Sequence, residues 1–267
     1  MKILNRDTTY FPKDCIITIG NFDGLHKGHI HIIDLIKEMS VEKGLKSLII
    51  TFDPHPAQIF NKNLLKNHLI TSADKKIELL NSTGIDYLYI INFNKEFATI
   101  SAHSFLKDFL VDTFKPSNII VGYDHFFGNN KEGSFDLIER KSTEFGYKTL
   151  KVDKIQLEGI DVKSESIRSL ITQGSVETAN KLLGRKFSFY GKVVHGRGVG
   201  KTIAFPTANI KVDQESQLLP GNGVYSTEII IKKNKKSYNS VCNIGVRPTF
   251  KDASFKHKSI EVHIFSD

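Results

Sequence analysis

A glycine-rich segment that carries two histidines follows an apolar run near the N-terminus. Residues 20–29 read Gly-Asn-Phe-Asp-Gly-Leu-His-Lys-Gly-His, and an amphipathic helical pattern begins at the end of this string. The glycines let the backbone turn tightly and approach a ligand, and the helix N-terminus offers free N–H groups and a positive dipole end to an anion. His26 and His29 can point at the same phosphates. The segment therefore predicts a phosphate site that suits a triphosphate.

Two other kinds of site use similar residues. A dinucleotide-binding fingerprint needs Gly-x-Gly-x-x-Gly, and the glycines here have a different spacing. A His-x-x-His pair can ligate zinc, but zinc needs a third protein ligand, and the neighbouring sequence suggests none. A metal site and an ordinary structural turn stay open as alternatives to phosphate binding.

The histidine segment resembles the His-x-Gly-His signature of the nucleotidylyltransferase superfamily. The whole string is similar to the first block of the prokaryotic bifunctional riboflavin kinase/FAD synthetase family. Several blocks in the family's order are far more specific than one. The further matching strings are Thr-Phe-Asp-Pro-His-Pro at 51–56, Val-Gly-Tyr-Asp-His-Phe-Phe-Gly at 121–128, Ser164 with Ile167-Arg168, and Leu-Leu-Gly-Arg at 182–185.

This resemblance implies that the 5′-phosphate of FMN attacks the α-phosphorus of ATP, giving FAD and pyrophosphate. Because the nucleophile is already an anion, catalysis depends on positioning and on neutralising the leaving group. By resemblance His26 and His29 contact the phosphates, Arg168 contacts the leaving pyrophosphate, and Asp124 lies at an Mg²⁺ or flavin-phosphate position. The other implied ATP- and flavin-binding residues are Gly20, Asn21, Phe22, Asp23, Gly28, His55 and Ser164.

His55 lies between two prolines, which predicts a rigid loop at the carboxyl edge of the sheet, where open α/β sheets bind ligands. A histidine that only packs or caps is the alternative. The chain departs from the resembled pattern at Lys163, Glu165 and Phe126, where Ser, Thr and Arg are usual. The Glu165 carboxylate repels a triphosphate unless it is turned to solvent or bound to Mg²⁺.

A second region with candidate functional motifs lies after residue 185. Residues 195–202, His-Gly-Arg-Gly-Val-Gly-Lys-Thr, look like a P-loop, but His195 stands where a P-loop needs glycine, and a Phe-Pro pair follows where it needs a helix. The region resembles the riboflavin kinase module instead. The strings that match in order are Phe-Pro-Thr-Ala-Asn at 205–209, Gly-Val-Tyr at 223–225, Asn-Ile-Gly-Val-Arg-Pro-Thr-Phe at 243–250 and Glu-Val-His at 261–263.

Thr207 and Asn209 are hard oxygen ligands two residues apart, so in an extended strand they lie on one side and suit Mg²⁺ bound to phosphate. By resemblance Glu261 accepts the proton of the riboflavin 5′-hydroxyl as this attacks the γ-phosphorus of ATP. Gly196 and Lys201 belong to the implied ATP loop. Arg197, Val199 and Ala204 depart from the usual residues of that loop.

Apolar runs alternate with amphipathic patterns up to residue 183, which predicts a Rossmann-like doubly wound α/β domain over 1–185. The predicted strands are 15–19, 47–52, 87–92, 118–122 and 149–153, and the predicted helices are 29–43, 72–82, 101–113, 134–145, 164–172 and 175–183. Ser72, Ser101 and Ser134 are the expected N-caps.

After residue 186 short strands separated by glycine, proline and asparagine predict a small antiparallel Greek-key β-barrel over 186–267. The predicted strands are 187–194, 224–232, 238–244 and 260–265, with an exposed lysine-rich turn at 232–236. The chain ends inside the last of these strands, whereas the resembled family continues into a further strand and a helix. We therefore expect an incomplete barrel.

The chain of 267 residues has a net charge of +8, and most of the excess lies after residue 185, where 13 Lys and Arg face 6 Asp and Glu. Such an excess fits nucleic acid, membrane or phosphorylated small molecules. No apolar stretch reaches the ~20 residues of a bilayer span, and no secretory signal is present, so we expect a cytoplasmic protein. Cys15 and Cys242 lie in apolar runs and are interpreted as buried thiols of a reducing compartment.

We expect ATP, FMN and riboflavin as small-molecule substrates, Mg²⁺ as the metal, FAD as product, and no nucleic-acid or membrane partner. Two alternatives stay open. In the first alternative, the protein makes only FAD and the barrel is not catalytic. Alternatively, the chain binds nucleic acid through basic and aromatic residues on a β-face, among them Lys186, Lys192, Phe187, Phe189 and Tyr190.

Overall fold

Six strands of the N-terminal half form one fully parallel sheet in the order β1-β4-β3-β2-β5-β8. The structure is a computed structural model that describes residues 1–60, 68–195, 206–246 and 258–265. The strands of this half are β1 (Lys2–Leu4), β2 (Ile16–Ile19), β3 (Ser47–Asp53), β4 (Tyr87–Asn92), β5 (Asn118–Gly122), β6 (Phe126–Phe127), β7 (Gly133–Ser134), β8 (Lys148–Val152), β9 (Gln156–Leu157) and β10 (Ile160–Asp161). The pairs β6–β7 and β9–β10 lie outside the main sheet.

Both faces of the parallel sheet are buried. Ile17 and Ile50 pack in one apolar cluster, whereas their neighbours Ile16 and Ile49 pack in a second cluster on the opposite face. Side chains alternate between faces along a strand, so two covered faces require the continuous apolar runs seen in the sequence. The predicted doubly wound domain is confirmed, and each of the five predicted strands is found to within one residue at either end.

Helices connect the parallel strands and cover the sheet. Their bounds are α1 (Lys27–Lys43), α2 (Pro56–Phe60), α3 (Ala73–Asn81), α4 (Lys95–Ala98), α5 (Ala102–Ser104), α6 (Asp112–Phe114), α7 (Phe135–Phe145), α8 (Ser164–Thr172) and α9 (Val176–Leu183). A π-helical stretch, Phe105–Val111, joins α5 to α6 and makes the predicted helix 101–113 continuous. All six predicted helices are therefore present.

The second half folds as a five-stranded antiparallel sheet. Its strands are β11 (Gly191–Val194), β12 (Ala208–Val212), β13 (Gly223–Ile230), β14 (Ser237–Val246) and β15 (Lys258–Ile264). Their order in the sheet is β11-β12-β15-β14-β13. This antiparallel module agrees with the predicted class, and residues 232–236 form the expected exposed turn. Only the end of the predicted strand 187–194 is extended, and β12 was not among the predicted strands.

Both cysteines are buried and free, as predicted. Cys15 is fully buried beneath the parallel sheet, and Cys242 is 5% exposed in the core of the second half. Burial raises the pKa of the Cys15 thiol to about 12 and that of Cys242 to about 11, so both stay protonated at neutral pH. Among the described residues, no helix has both the length and the apolar character needed to cross a bilayer.

Two of the predicted N-cap serines differ in their hydrogen bonding. Ser72 Oγ accepts a hydrogen bond from the backbone N–H of Lys75 at 3.3 Å, whereas the Ser134 side chain makes no such capping bond. Ser72→Ala should lower the free energy of unfolding by about 1 kcal/mol, because a helix N–H loses its partner. Ser134→Ala is the matched control and should change it by less than half as much. Urea unfolding of both variants measures the difference, and equal losses would contradict the assignment.

Candidate active sites

A cavity of about 480 Å³ opens at the carboxyl ends of β2, β3, β5 and β8. The order of the strands reverses between β2 and β5, and open α/β sheets bind ligands at such a point. All eleven residues that the sequence assigned to the first site line this cavity. They are Gly20, Asn21, Phe22, Asp23, His26, Gly28, His29, His55, Asp124, Ser164 and Arg168.

The loop that leads from β2 into α1 turns through left-handed backbone. Phe22, Gly24 and Leu25 all have positive φ angles, of 49°, 82° and 37°. Gly28 has a different role, because a Cβ atom there would lie 3.1 Å from the His26 ring and 3.2 Å from the carbonyl oxygen of Val162. The loop therefore turns at Phe22, Gly24 and Leu25, and Gly28 permits close packing.

Helix α1 begins two residues earlier than predicted, with His26 as its N-cap. The Nδ1 atom of His26 accepts a hydrogen bond from the backbone N–H of His29 at 3.3 Å. The proton of the neutral His26 ring therefore resides on Nε2. Histidine is not among the preferred N-cap residues, which explains why the sequence pattern placed the start near His29.

The two histidines of the loop stack on each other and are uncharged. Their ring centroids are 3.7 Å apart with an interplanar angle of 15°. Burial lowers the pKa of His26 to about 4, and burial together with the nearby cations holds the pKa of His29 well below its usual value. At neutral pH both rings therefore act as N–H donors and contribute no positive charge.

Asp23 is the centre of the hydrogen-bond network around the cavity. Its carboxylate is 3% exposed and accepts from the backbone N–H of Thr71 at 3.0 Å and of Ile70 at 3.3 Å. The Thr71 hydroxyl donates to the same carboxylate at 3.3 Å and accepts from the Gly24 N–H at 3.1 Å. Arg168 Nη2 forms an ion pair with it at 3.2 Å. The carboxylate therefore joins the phosphate loop, residues 70–71 and α8.

Arg168 is held at two nitrogen atoms. Besides the ion pair with Asp23, its Nε donates to the carbonyl oxygen of His68 at 3.1 Å. Ser164, at the start of the same helix, donates to the Asp23 carbonyl oxygen at 2.9 Å. The side chain of Arg168 is 22% exposed, so a fixed guanidinium reaches the cavity without lying free in solvent.

Two buried cations support the loop and were not assigned a role from the sequence. The Lys76 ammonium donates to the carbonyl oxygens of Phe52 at 2.9 Å and Asn21 at 3.3 Å, and to the Thr51 hydroxyl at 3.2 Å. Burial lowers the pKa of Lys76. No sequence signal distinguishes Lys76 from Lys75, since both lie in a predicted amphipathic helix.

Arg185, the last residue of the string that matched the family's linker, reaches back to the loop. Its Nη2 donates to the carbonyl oxygen of Gly24 at 2.7 Å, and its Nη1 lies 3.4 Å from that of Leu25. Burial lowers the pKa of Arg185 to about 10, so the side chain stays charged at neutral pH. The sequence shows no sign of this contact, because about 160 residues separate the partners.

His55 caps the N-terminal end of α2 and also lines the cavity. Its Nδ1 accepts from the backbone N–H of Ala57 at 3.1 Å, and burial lowers its pKa to about 4. Of the departures from the family pattern, Glu165 pairs with Lys163 at 3.0 Å with its side chain 80% exposed, and Phe126 is 56% exposed. Glu165 lines the cavity but is largely exposed to solvent, and its pairing with Lys163 weakens its repulsion of a triphosphate.

Part of the second predicted site lies across three neighbouring strands. Asn209 of β12 is directly opposite Glu261 of β15, and Asn243 of β14 is opposite Glu261 on its other side. Opposed residues of antiparallel strands share a face of the sheet, so these three side chains are neighbours. Thr207 is exposed just before β12. The predicted ATP-loop residues Gly196 and Lys201, and the departures at Arg197, Val199 and Ala204, lie outside the described residues.

The aromatic residues of the nucleic-acid alternative are used in packing. Phe187 packs against the apolar cluster of α8 and α9, and Phe189 packs against the core of the second sheet. Tyr190 donates a hydrogen bond to Glu78, and Lys186 pairs with Glu228 at 3.2 Å. Within the part of the chain that the structure describes, no group of three or more His, Cys, Asp or Glu side chains could hold a metal ion.

The architecture is that of a nucleotide-binding α/β domain with a phosphate-type loop, followed by an antiparallel β-module. The model of the FAD synthetase family matches residues 9–166, and that of riboflavin kinase matches residues 183–267. The chain belongs to the bifunctional riboflavin kinase/FMN adenylyltransferase family. It is an enzyme of flavin-cofactor biosynthesis that transfers AMP from ATP to FMN and phosphorylates riboflavin.

Several curated relatives support this assignment. The chain is 34% identical to the bifunctional enzyme of Buchnera aphidicola subsp. Schizaphis graminum, over 94% of this chain and 79% of the relative. It is 32% identical to the Escherichia coli enzyme and 33% identical to that of Bacillus subtilis, each over 94% of this chain and 78% of the relative. The bifunctional reading is therefore favoured over both alternatives.

One solved structure agrees with the fold over nearly the whole chain. It is described as a macrolide-efflux protein from Streptococcus pneumoniae, is 27% identical, and superposes with a TM-score of 0.86 over 99% of this chain and 85% of the other. This similarity supports the arrangement of both halves.

Burial of His125 predicts that the stability of the fold depends on pH. Its Nε2 atom is buried with no hydrogen-bond partner among the described residues, and burial lowers its pKa to about 4. Between pH 6.5 and pH 4 the unfolded chain binds a proton here that the folded chain does not bind, so the stability falls as the pH falls. His125→Phe should reduce the loss of unfolding free energy between pH 7 and pH 4.5 by about 2 kcal/mol.

The exposed His31 provides the control for this measurement. His31→Gln should leave the pH dependence of the urea midpoint unchanged. A His125→Phe protein that loses as much stability on acidification as the parent would show that His125 is not the group responsible.

Proposed function

We propose that adenylyl transfer takes place in the cavity at the carboxyl edge of the parallel sheet and riboflavin phosphorylation at the face shared by Asn209 and Glu261. The first activity is assigned to residues 1–185 and the second to residues 186–267. One observation carries the assignment: eleven residues from distant parts of the chain line one cavity.

In the first reaction an oxygen of the FMN 5′-phosphate forms a bond to the α-phosphorus of ATP, and the bond to the bridging oxygen breaks. Pyrophosphate leaves with the electron pair. His26 and His29 donate N–H hydrogen bonds to the ATP phosphates, together with the N-terminus of α1. Arg168 neutralises the growing charge on the pyrophosphate, and its bonds to Asp23 and His68 support this role because they fix the guanidinium.

The remaining residues of this site position the substrates. Gly20, Asn21, Phe22 and Gly28 form the backbone that approaches the nucleotide, and Ser164 orients Asp23 through its carbonyl. His55 and Asp124 also line the cavity and are assigned to FMN. The nucleophile needs no general base, since the FMN phosphate is ionised at neutral pH.

In the second reaction the riboflavin 5′-hydroxyl attacks the γ-phosphorus of ATP, and ADP leaves. Glu261 accepts the hydroxyl proton, a role that this neutral nucleophile needs and FMN does not. The register of β12 against β15 supports this assignment, because it brings the Asn209 side chain beside the Glu261 carboxylate. Gly196 and Lys201 are assigned to the ATP loop on resemblance alone.

Mg²⁺ is proposed for the kinase site. Asn209 supplies a neutral oxygen donor beside the Glu261 carboxylate, and Thr207, two residues earlier in the chain, is proposed as a second. This all-oxygen set fits Mg²⁺ rather than a softer metal. When bound, the ion neutralises charge on the phosphate oxygens of ATP. Asp124 is the corresponding oxygen donor of the first site.

We place the enzyme in the cytoplasm with small molecules as its only ligands. Its two buried thiols carry no disulfide, which fits a reducing compartment.

Substitution of His29 separates the two activities. His29→Ala should reduce the conversion of FMN to FAD by about a hundredfold or more, because a buried donor to the phosphates is lost. Riboflavin phosphorylation should stay within about twofold of the parent, since its residues lie on the other module. Incubation with Mg²⁺-ATP and either flavin, followed by chromatography, measures both. His31→Ala, two residues along α1 and exposed, is the matched control, and an equal loss of both activities would contradict the two-site assignment.

Glu261→Gln should have the opposite effect. Removing the carboxylate that accepts the hydroxyl proton should slow riboflavin phosphorylation by about a hundredfold and leave FAD formation from FMN unchanged. Glu228→Gln, on β13 of the same sheet, is the control. The same chromatographic assay applies, and a Glu261→Gln protein that retains full kinase activity would remove Glu261 from its proposed role.

A further inference from the structure

Residues 216–219 belong to the cores of both halves of the molecule. Leu218 packs with Ile70 and Ile171 in the first half, whereas its neighbour Leu219 packs with Cys242 in the second. All four residues are buried, and Gln217 is 3% exposed. We call residues 216–219 the bridging segment.

The bridging segment pairs with residues 68–71, which contact Asp23 and Arg168 of the first site. The carbonyl oxygen of Ser216 accepts from the N–H groups of His68 and Leu69, both at 2.8 Å, and the Leu218 N–H donates to the Leu69 carbonyl at 2.7 Å. Leu69 and Gln217 form a parallel β-bridge. The backbone of 68–71 is thus fixed by the second half of the chain.

The side chain of Gln217 completes this pairing. Its amide nitrogen lies 3.0 Å from the carbonyl oxygen of Leu218 and 3.3 Å from those of Leu69 and Ile70. A buried amide is costly unless it is hydrogen-bonded, so these contacts fix the Gln217 side chain against the three carbonyl groups.

The opposite side of residues 68–71 faces the Asp23–Arg168 pair. Ile70 and Thr71 donate their N–H groups to the Asp23 carboxylate, and the His68 carbonyl accepts from Arg168 Nε. Gln217 and Arg168 therefore contact the same short stretch of backbone from different sides. A shift of this stretch moves the carboxylate and the guanidinium together.

We propose that Gln217 is a positioning residue for adenylyl transfer. It belongs to the kinase module, acts through residues 68–71, and holds Asp23 and Arg168 in the geometry that stabilises the departing pyrophosphate. This inference rests on the role proposed for Arg168.

The test compares steady-state FAD formation from FMN and Mg²⁺-ATP by full-length variants. Gln217→Met keeps the shape and removes the donors, and it should lower kcat by about tenfold while the KM for FMN changes by less than about twofold. Gln217→Glu presents a carboxylate to the same carbonyl oxygens and should lower kcat further. Tyr190→Phe breaks the hydrogen bond to Glu78, another contact between the halves, and should leave kcat within about twofold of the parent.

A double-mutant cycle with Arg168→Ala distinguishes positioning from general weakening. In the Arg168→Ala background, Gln217→Met should reduce kcat by less than about twofold more, because its effect passes through the absent guanidinium. Multiplicative losses would overturn the proposal. So would a kcat for Gln217→Met within about twofold of the parent, or a loss that equals the loss of folded protein by circular dichroism at the assay temperature.

If Gln217→Met does not fold, Gln217→Asn, whose shorter amide cannot reach the Leu69 and Ile70 carbonyls, takes its place with the same expected loss.

Two further results distinguish failure of this inference from failure of the proposed function. If Arg168→Ala alone retains full activity, the proposed role of Arg168 and this inference both fail. If only Arg168→Ala is impaired, the inference fails and the proposed function stands.

Discussion

The rest of the first site depends on the hydrogen bonds and the ion pair made by the buried carboxylate of Asp23. A carboxylate removed from water is costly unless hydrogen bonds and an opposite charge satisfy it. Thr71, Ile70 and Arg168 supply these partners, and they come from segments that are far apart in the chain. The loop, residues 68–71 and α8 can therefore adopt their positions only together, which makes the phosphate site a product of tertiary folding.

The proposed phosphate site does not depend on the net charge of the first half of the chain. The first 185 residues carry 24 Lys and Arg against 23 Asp and Glu, and the two loop histidines are neutral. Attraction for phosphate therefore has local sources, namely oriented N–H groups, the start of α1 and the Arg168 guanidinium. The buried cations Lys76 and Arg185 lie behind the same loop and add to it. Such a set of fixed dipoles needs little rearrangement when charge moves from the α-phosphorus to the leaving group.

The sequence predicted what is continuous along the chain and missed what depends on contacts. Apolar runs predicted five of the six strands of the parallel sheet, but the three-residue edge strand β1 is too short for a pattern. Strand β12 was missed because it has no fully buried residue. Contiguous motifs gave the residues of the cavity. Lys76 and Gln217 could not be found in this way, because each acts on carbonyl groups that only the folded chain brings within reach.

The adjacency of Leu218 and Leu219 bears on how the two halves could be separated. A cut at residue 185 falls between the two chemical motifs, yet it removes Leu218 from the core that contains Ile70 and Ile171. The detached first half would expose an apolar hollow and unpaired backbone groups beside its own active site. The two halves are therefore not structurally independent. A protein that consisted only of the first half would need other residues to replace the bridging segment, 216–219.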